Sequence, residues 1–295
     1  MKQLPISMWT DYFWDLTPQQ AIDDLVQGGY THCELSDSHA QWMLEKSGNI
    51  EKTGREFAAY AQDKGMLIPQ GHLYLKVELC EREGVDTLKT WLDLFHAIGI
   101  KNCVLHAASS KSGTDQTSMD TRIKHIGELV EHIKDTDMRL CLENLGSHPC
   151  CYTSWDLMKM IEAIGDEDHL GICLDTGHLH KVVGRGQAQQ EQADFILHVG
   201  KWLHALHVNS NNGDLDDHLM PYSGKKCVNF KPIMLALEQV GYQDLFNMEI
   251  PGESKAPLEL RRIRLRHMYE ICQYLMSDDF LYRDHPGICM KTIKA

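Results

Sequence analysis

One pattern constrains this chain more than any other. A short apolar, β-branched run is followed by an amphipathic segment of helical length, and the pair recurs eight times. The runs at 4–9, 32–35, 67–72, 103–106, 139–143, 171–175, 205–209 and 247–250 read as strands. The segments at 18–27, 50–64, 85–98, 119–134, 155–164, 188–199, 231–240 and 258–276 read as helices. Thr17 before Pro18 is an N-cap followed by proline at the first helical position, where the missing N–H costs nothing. Gly28, Gly29, Gly65, Gly99, Gly165 and Gly241 fall where helices should stop, because glycine adopts the left-handed conformation that ends them.

Strand–helix alternation builds a parallel sheet, either closed into a barrel or left open. An open dinucleotide-binding sheet wants a glycine fingerprint after its first strand. Here that strand runs into Trp9, Thr10, Asp11, Tyr12, Phe13 and Trp14, with no glycine. Eight units in 295 residues therefore predict an α/β fold, a (β/α)8 TIM barrel. No proline- or serine-rich linker interrupts it, so residues 1–295 are expected to form a single domain.

Charge narrows the partners. A net charge of −13 disfavours a duplex binder, whose non-specific affinity comes from cations that displace phosphate counterions. A small diffusing substrate is expected, with no nucleic acid and no membrane, and homo-oligomerisation is left open. Ten cysteines would suggest disulfides in a short secreted chain. In this one Cys33, Cys103, Cys141 and Cys173 lie inside apolar strand runs, where a thiol acts as a small hydrophobe. Cys150 and Cys151 are adjacent and no CxxC pair occurs, which argues against a thiolate zinc site. With no signal-like N-terminus, the expected location is cytoplasmic, with reduced thiols.

What ends the strands points to chemistry. The third to eighth runs finish at His72, His106, Glu143, Asp175, His207 and Glu249. The C-terminal ends of barrel strands ring one mouth, so these side chains should converge. Any one of them alone reads as a packing or ion-paired residue. Six in succession would repel or desolvate one another unless a cation neutralised them, and a divalent metal is the simplest such cation.

Flanking residues sharpen the reading. Gln70-Gly71-His72-Leu73, Leu142-Glu143-Asn144, Leu174-Asp175-Thr176-Gly177-His178, Leu206-His207-Val208-Asn209, Asp216-Asp217-His218-Leu219-Met220-Pro221 and Met248-Glu249-Ile250-Pro251-Gly252-Glu253 follow in order along the chain. Together they resemble the xylose-isomerase-like barrels, the group holding sugar phosphate isomerases and epimerases and, more distantly, endonuclease IV. The resemblance implies one metal held by Glu143, Asp175, His207 and Glu249, with Glu143 and Glu249 also moving protons. A donor set of two Glu, one Asp and one His favours Mn2+, with Mg2+, Zn2+, Co2+ and Fe2+ open. His72, His106, His178, Asp216 and His218 are then left for the substrate. Two departures stand out: the loop after His218 reads Tyr222-Ser223-Gly224-Lys225-Lys226, and no acidic residue follows Glu143 before Asp156.

Two chemistries could use such a ring. An isomerase or epimerase of a ketose, ketose phosphate or keto-sugar would move a proton beside a carbonyl polarised by the metal, and a dehydratase or lyase would begin with the same step. A zinc-dependent phosphodiesterase of the endonuclease IV type would use His72, His106, Glu143, Asp175, His178, His207, Asp216, His218 and Glu249 together. The acidic charge and the aromatic, acidic first loop rank the sugar enzyme first. Trp9 and Trp14 are the candidate wall against a sugar's C–H face, whereas Trp42 and Tyr74 read as core. Lys225 and Lys226 read as a solvated loop. Arg261, Arg262, Arg264 and Arg266 read as the charged outer face of the last helix.

Overall fold

The computed structural model describes residues 3–109 and 111–283. Its strands are β1 (Ile6–Trp9), β2 (His32–Leu35), β3 (Leu67–His72), β4 (Asn102–Leu105), β5 (Arg139–Glu143), β6 (Leu170–Asp175), β7 (Leu203–His207) and β8 (Phe246–Met248). The helices are α1 (Pro18–Gln27), α2 (Asp37–Lys46), α3 (Ile50–Asp63), α4 (Arg82–Ile98), α5 (Gln116–Ile133), α6 (Ser154–Ile164), α7 (Thr176–Gly184), α8 (Gln192–Val199), α9 (Phe230–Val240), α10 (Leu258–Leu275) and α11 (Asp278–Tyr282). All the strand pairs are parallel, in the order β7-β6-β5-β4-β3-β2-β1-β8. Val208, just past β7, closes the ring: its N–H donates to Asn247 O at 2.7 Å and its carbonyl accepts from Glu249 N at 3.2 Å. The fold is the expected TIM barrel. No helix among the described residues is long and apolar enough to cross a membrane.

Strand alternation decides what fills the barrel. Side chains two residues apart share a face. Val104, Cys141, Cys173 and Ala205 each lie two positions before His106, Glu143, Asp175 and His207, and they form a small apolar cluster of their own, apart from the main core. This plug is made of short side chains, and it floors the mouth. Cys33 and Cys103 belong instead to the main core between strands and helices, and burial pushes all four strand thiols up.

Helix caps follow the sequence closely. Thr17 and Gln20 form a reciprocal capping box on α1, and Gly99, Gly165 and Gly241 end α4, α6 and α9 in the left-handed region. Three helices lie outside the expected set. Helix α2 starts at Asp37, capped by Ser36 directly after β2, and its buried face includes a polar residue, His39, which blurs the amphipathic signal. Helix α7 contains Gly177 and two adjacent valines, all poor helix formers, and is capped by the strand-end Asp175. It takes the place of the loop expected before α8, which begins at Gln192 rather than at 188. Helix α11 follows the expected last helix.

The arginines of α10 require a correction. Arg261 is 1% exposed, not part of a charged outer face. Its guanidinium donates to both oxygens of Asp15 at 2.9 and 2.8 Å and to Tyr12 O at 2.7 Å, and it stacks 4.6 Å over the Phe13 ring. Tyr12 returns a hydrogen bond from its hydroxyl to Arg261 O at 2.9 Å. Those hydrogen bonds from Arg261 hold the Asp15 carboxyl below the usual carboxylate range. The loop after β1 is thereby tied to the last long helix. Arg261→Leu should lower the unfolding free energy by about 1–3 kcal/mol, because it leaves the Tyr12 carbonyl without its donor and removes the two-pronged tie to Asp15. The exposed Arg266→Leu change should stay within about 0.5 kcal/mol. Parallel urea titrations of the two variants check this contrast, and equal effects would refute it.

Candidate metal centre

Glu143 and Asp175 end β5 and β6, His207 ends β7, and Glu249 directly follows β8. One ligand atom from each of these four buried residues lies within 4.8 Å of the other three. Their convergence is a product of register: Asp175 pairs with His207 across β6–β7, and Glu143 with Cys173 across β5–β6. The imidazole Nδ1 of His207 stands 3.2 Å from Glu143 Oε1 and 3.3 Å from Glu249 Oε2. Asp175 also caps α7, accepting from His178 N at 2.5 Å, so the positive end of that helix faces the carboxylate. Asn209 Nδ2 donates to the other Asp175 oxygen at 2.7 Å.

The remaining sequence-predicted polar residues join the same assembly. His72 Nε2 and His106 Nε2 approach Glu143 Oε2 at 3.3 and 3.0 Å. His178 Nδ1 lies 3.2 Å from Glu143 Oε1, and its Nε2 lies 3.2 Å from Asp216 Oδ2. His218, held at a positive φ of 45°, stands 3.4 Å from Glu249 Oε2 through Nδ1 and 3.5 Å from Asp216 Oδ1 through Nε2. A left-handed conformation at a non-glycine residue is costly, and such strain collects at functional sites. His72–His106–Glu143, His72–His207–Glu249 and Asp175–His178–His218 are further groups with mutually close donor atoms.

The aromatic candidates do not all arrive. Trp9, at the end of β1, donates its indole N–H to Ile250 O at 3.1 Å, beside Glu249. Trp14 is 56% exposed, and among the described residues no hydrogen bond, ion pair or ring stacking joins it to the cluster. Tyr74 stacks on Trp91 at 4.9 Å, and Trp42 carries Lys46 over its ring. Lys225 and Lys226 are exposed, as expected of a solvated loop.

Sequence reasoning missed several members. Glu34 at the end of β2 is wholly buried and faces His207. Its signal was available, since it too is an acid at a strand end. Lys181, on the unanticipated α7, pairs with Asp216 at 3.1 Å. Asn144 brackets Asp175, accepting from Asp175 N at 2.7 Å and donating to Asp175 O at 3.0 Å.

Protonation in this cluster follows from crowding. Burial alone would raise the Glu143 carboxyl, but His207, His106 and His178 outweigh it and hold it well below the usual range. Burial raises Glu249 well above that range, and Asp175, Glu143 and Glu34 add to the effect against the opposing pull of His207. Burial lowers His207 and His178, yet their acidic neighbours hold both well above an ordinary imidazole: Cys173, Glu249, Glu34 and Glu143 for the first, Asp175, Asp216 and Glu143 for the second. Without a metal, protons must supply the positive charge. Glu143 Oε1, Glu249 Oε2 and His207 Nδ1 are buried polar atoms with no hydrogen-bond partner, and all three face the same point. Buried polar atoms are rarely left unpaired. A divalent cation fits this donor set, satisfying all three while replacing the protons.

Comparison with known proteins places the fold. The family described as xylose isomerase-like TIM barrel matches residues 22–271. A probable endonuclease 4 of Staphylococcus carnosus (strain TM300) is 28% identical over 141 residues, 46% of this chain and 47% of that protein. The matched stretch thus spans about half the length of that curated relative. Among solved structures, D-psicose 3-epimerase in the presence of D-fructose superimposes with a TM-score of 0.75 at 14% identity, covering 92% of this chain and 99% of that one. D-psicose 3-epimerase with D-tagatose from Clostridium cellulolyticum H10 gives 0.74 at 14% identity, covering 93% and 100%. Likeness at this identity speaks for the fold.

Close packing behind Asp175 makes a test. A Cβ on Gly177 would collide with Asn209 Oδ1, the side chain that steadies Asp175. Gly177→Ala should therefore destabilise the protein by about 1–3 kcal/mol, as overpacking does. Urea unfolding in excess chelator measures this without any contribution from bound metal, and an unchanged midpoint would show that the mouth tolerates the shift.

Proposed function

Since this chain belongs to the xylose isomerase-like TIM barrel family, we propose that it is a divalent-metal-dependent isomerase or epimerase of a ketose, ketose phosphate or related keto-sugar. The observation that carries the reading is the buried quartet Glu143, Asp175, His207 and Glu249, in which two glutamates approach one imidazole nitrogen at 3.2 and 3.3 Å. In this reading the chain works as one barrel domain, and the quartet holds one ion. Three carboxylates and one imidazole favour Mn2+.

A divalent ion bound there supplies Lewis acidity toward a carbonyl oxygen. The chain's own part is proton transfer. One of Glu143 and Glu249 removes the proton beside the carbonyl, and the other returns a proton to give the epimer, or to the next carbon to give the isomer. His72, His106, His178, Asp216 and His218 surround the pair and can donate to or accept from substrate hydroxyls. Trp9, at the rim, offers an apolar face for the sugar's C–H groups. The sugar reading is preferred over a nucleic-acid substrate because 42 acidic residues outnumber 29 basic ones.

A second reading is favoured by one specific observation. His72, His178 and His218 each turn Nδ1 to a backbone carbonyl, Leu73 O at 2.8 Å, Asn144 O at 3.0 Å and Glu249 O at 2.9 Å. Each then directs Nε2 toward a carboxylate, the arrangement of an imidazole that binds metal through Nε2. Several ions sharing Glu143 and Asp175 would make a phosphodiesterase of the endonuclease type.

Metal analysis separates the two. Protein purified without chelator should carry one divalent ion per chain. Three zinc ions, together with cleavage of abasic DNA, would reverse the ranking.

Proton transfer is tested by incubating the protein in D2O with ketoses, ketose phosphates and keto-cyclitols. Deuterium should enter beside the carbonyl. Glu249→Gln keeps an oxygen near the metal but removes the base, so exchange should fall by about 10²–10⁴-fold. Metal content is measured on the same sample. A variant that keeps its metal and exchanges at the wild-type rate would move the acid–base role to the histidines.

A further inference from the structure

Glu34 takes no part in the chemistry proposed above, yet it is a wholly buried carboxylate inside the barrel. Three donors converge on it. Asn247 Nδ2 donates to Oε2 at 2.8 Å, Gln70 Nε2 donates to the same oxygen, and His207 Nε2 approaches Oε1 and Oε2 at 3.2 and 3.1 Å. The orientation of the Asn247 amide is fixed from behind, because Ser7 Oγ donates to its Oδ1 at 2.8 Å. The strand-end acids of β5 and β6 face the cluster, whereas this acid of β2 faces the back of one imidazole.

That placement decides which nitrogen of His207 is a ligand. A carboxylate only accepts, so the nitrogen turned to Glu34 must carry the proton. The nitrogen left with a lone pair in the neutral ring is Nδ1, the atom 3.2 Å from Glu143 Oε1 and 3.3 Å from Glu249 Oε2. His72, His178 and His218 have the opposite sense, with Nδ1 on a backbone carbonyl and Nε2 toward the site. These four of the mouth's five imidazoles thus take two orientations, and a backbone carbonyl fixes three of them. The fourth depends on a side chain.

We propose that Glu34 is a positioning residue, which fixes His207 as the Nε2–H tautomer and aims its Nδ1 lone pair at the metal. The proposal rests on the metal-binding reading of the quartet. A partner behind a ligating histidine orients the ring and raises its basicity, and its loss typically weakens metal binding by about 10–100-fold. Glutamine keeps one acceptor oxygen, which can take the place of Oε2, but it removes the charge and sets an NH2 where Oε1 faced His207. Aspartate keeps the charge but is shorter by one methylene.

The test uses the full-length protein loaded with Zn2+ and labelled with 15N-histidine. Long-range 1H–15N correlation reads which ring nitrogen is protonated and which is on the metal, and a competing chelator gives the Zn2+ affinity. The wild type should show a ring with metal on Nδ1 and a slowly exchanging proton on Nε2. Glu34→Gln, which is uncharged, should bind Zn2+ about 10–100-fold more weakly with a faster-exchanging Nε2 proton, and Glu34→Asp should keep the slow exchange with intermediate affinity. A wild-type spectrum lacking such a ring overturns the proposal even where Glu34→Gln fails to fold. So does a folded Glu34→Gln protein with wild-type affinity and signature. A wild type that takes up no Zn2+ would instead bring down the metal reading and this proposal with it.

Discussion

Five carboxylates, Glu34, Glu143, Asp175, Asp216 and Glu249, are gathered in or beside one barrel mouth, four of them buried. Like charges so close in a low-dielectric interior cannot all remain ionised without positive charge among them. The structure meets this demand in layers. The N-terminus of α7 faces Asp175, Lys181 meets Asp216, and imidazoles sit between the acids. The final contribution is at the centre, where oxygen and nitrogen atoms without partners face one point. The barrel provides the ring of strand ends that makes such crowding possible, and an apolar plug lies beneath it.

Two scales of tethering hold this arrangement. Near the cluster, the atoms that fix direction are mostly backbone or amide: Asn144 and Asn209 grip Asp175, and three carbonyls orient His72, His178 and His218. Farther out, Arg261 ties the loop after β1 to α10, on either side of the strand pair β1–β8. Glu249 follows β8 directly, so that proposed ligand adjoins the strand pair that this ion pair flanks. A ring of ligands drawn from several strands is only as well placed as the closure of the barrel.

The barrel and its six polar strand ends were legible in the sequence because both rest on local signals, hydrophobic period and capping residues. The misses have physical causes. Helix α7 was hidden because Gly177 and the paired valines are poor helix formers, and its nucleation depends on a cap by Asp175 and on packing that no local window contains. Arg261 looked like one more charge on an exposed face, since its partner Asp15 lies 246 positions away. Glu34 shows the limit most clearly. It lies near a strand end as the other acids do, but whether it turns toward a metal or toward the back of an imidazole depends on Gln70 of the adjacent β3 and Asn247 of β8, two strands away.

Glu143 is where the two functional readings meet. It is the member shared by the quartet and the His72–His106 group, and imidazoles approach it from four sides: His72, His106, His178 and His207. An imidazole nitrogen can offer that carboxylate a proton, or offer a metal its lone pair, but not both at once. If His72 and His106 give protons, Glu143 is a carboxylate stabilised by hydrogen bonds, and such donors weaken it as a base. Glu249, with His207 and His218 at 3.3 and 3.4 Å, would then be the stronger base of the pair. If His72 and His106 give lone pairs, they would help to hold further cations, and Glu143 would lose its freedom to move a proton. In the two readings, the same nine side chains would serve proton transfer or phosphodiester chemistry according to the protonation of two histidines. Cation number, more than residue identity, separates the two chemistries.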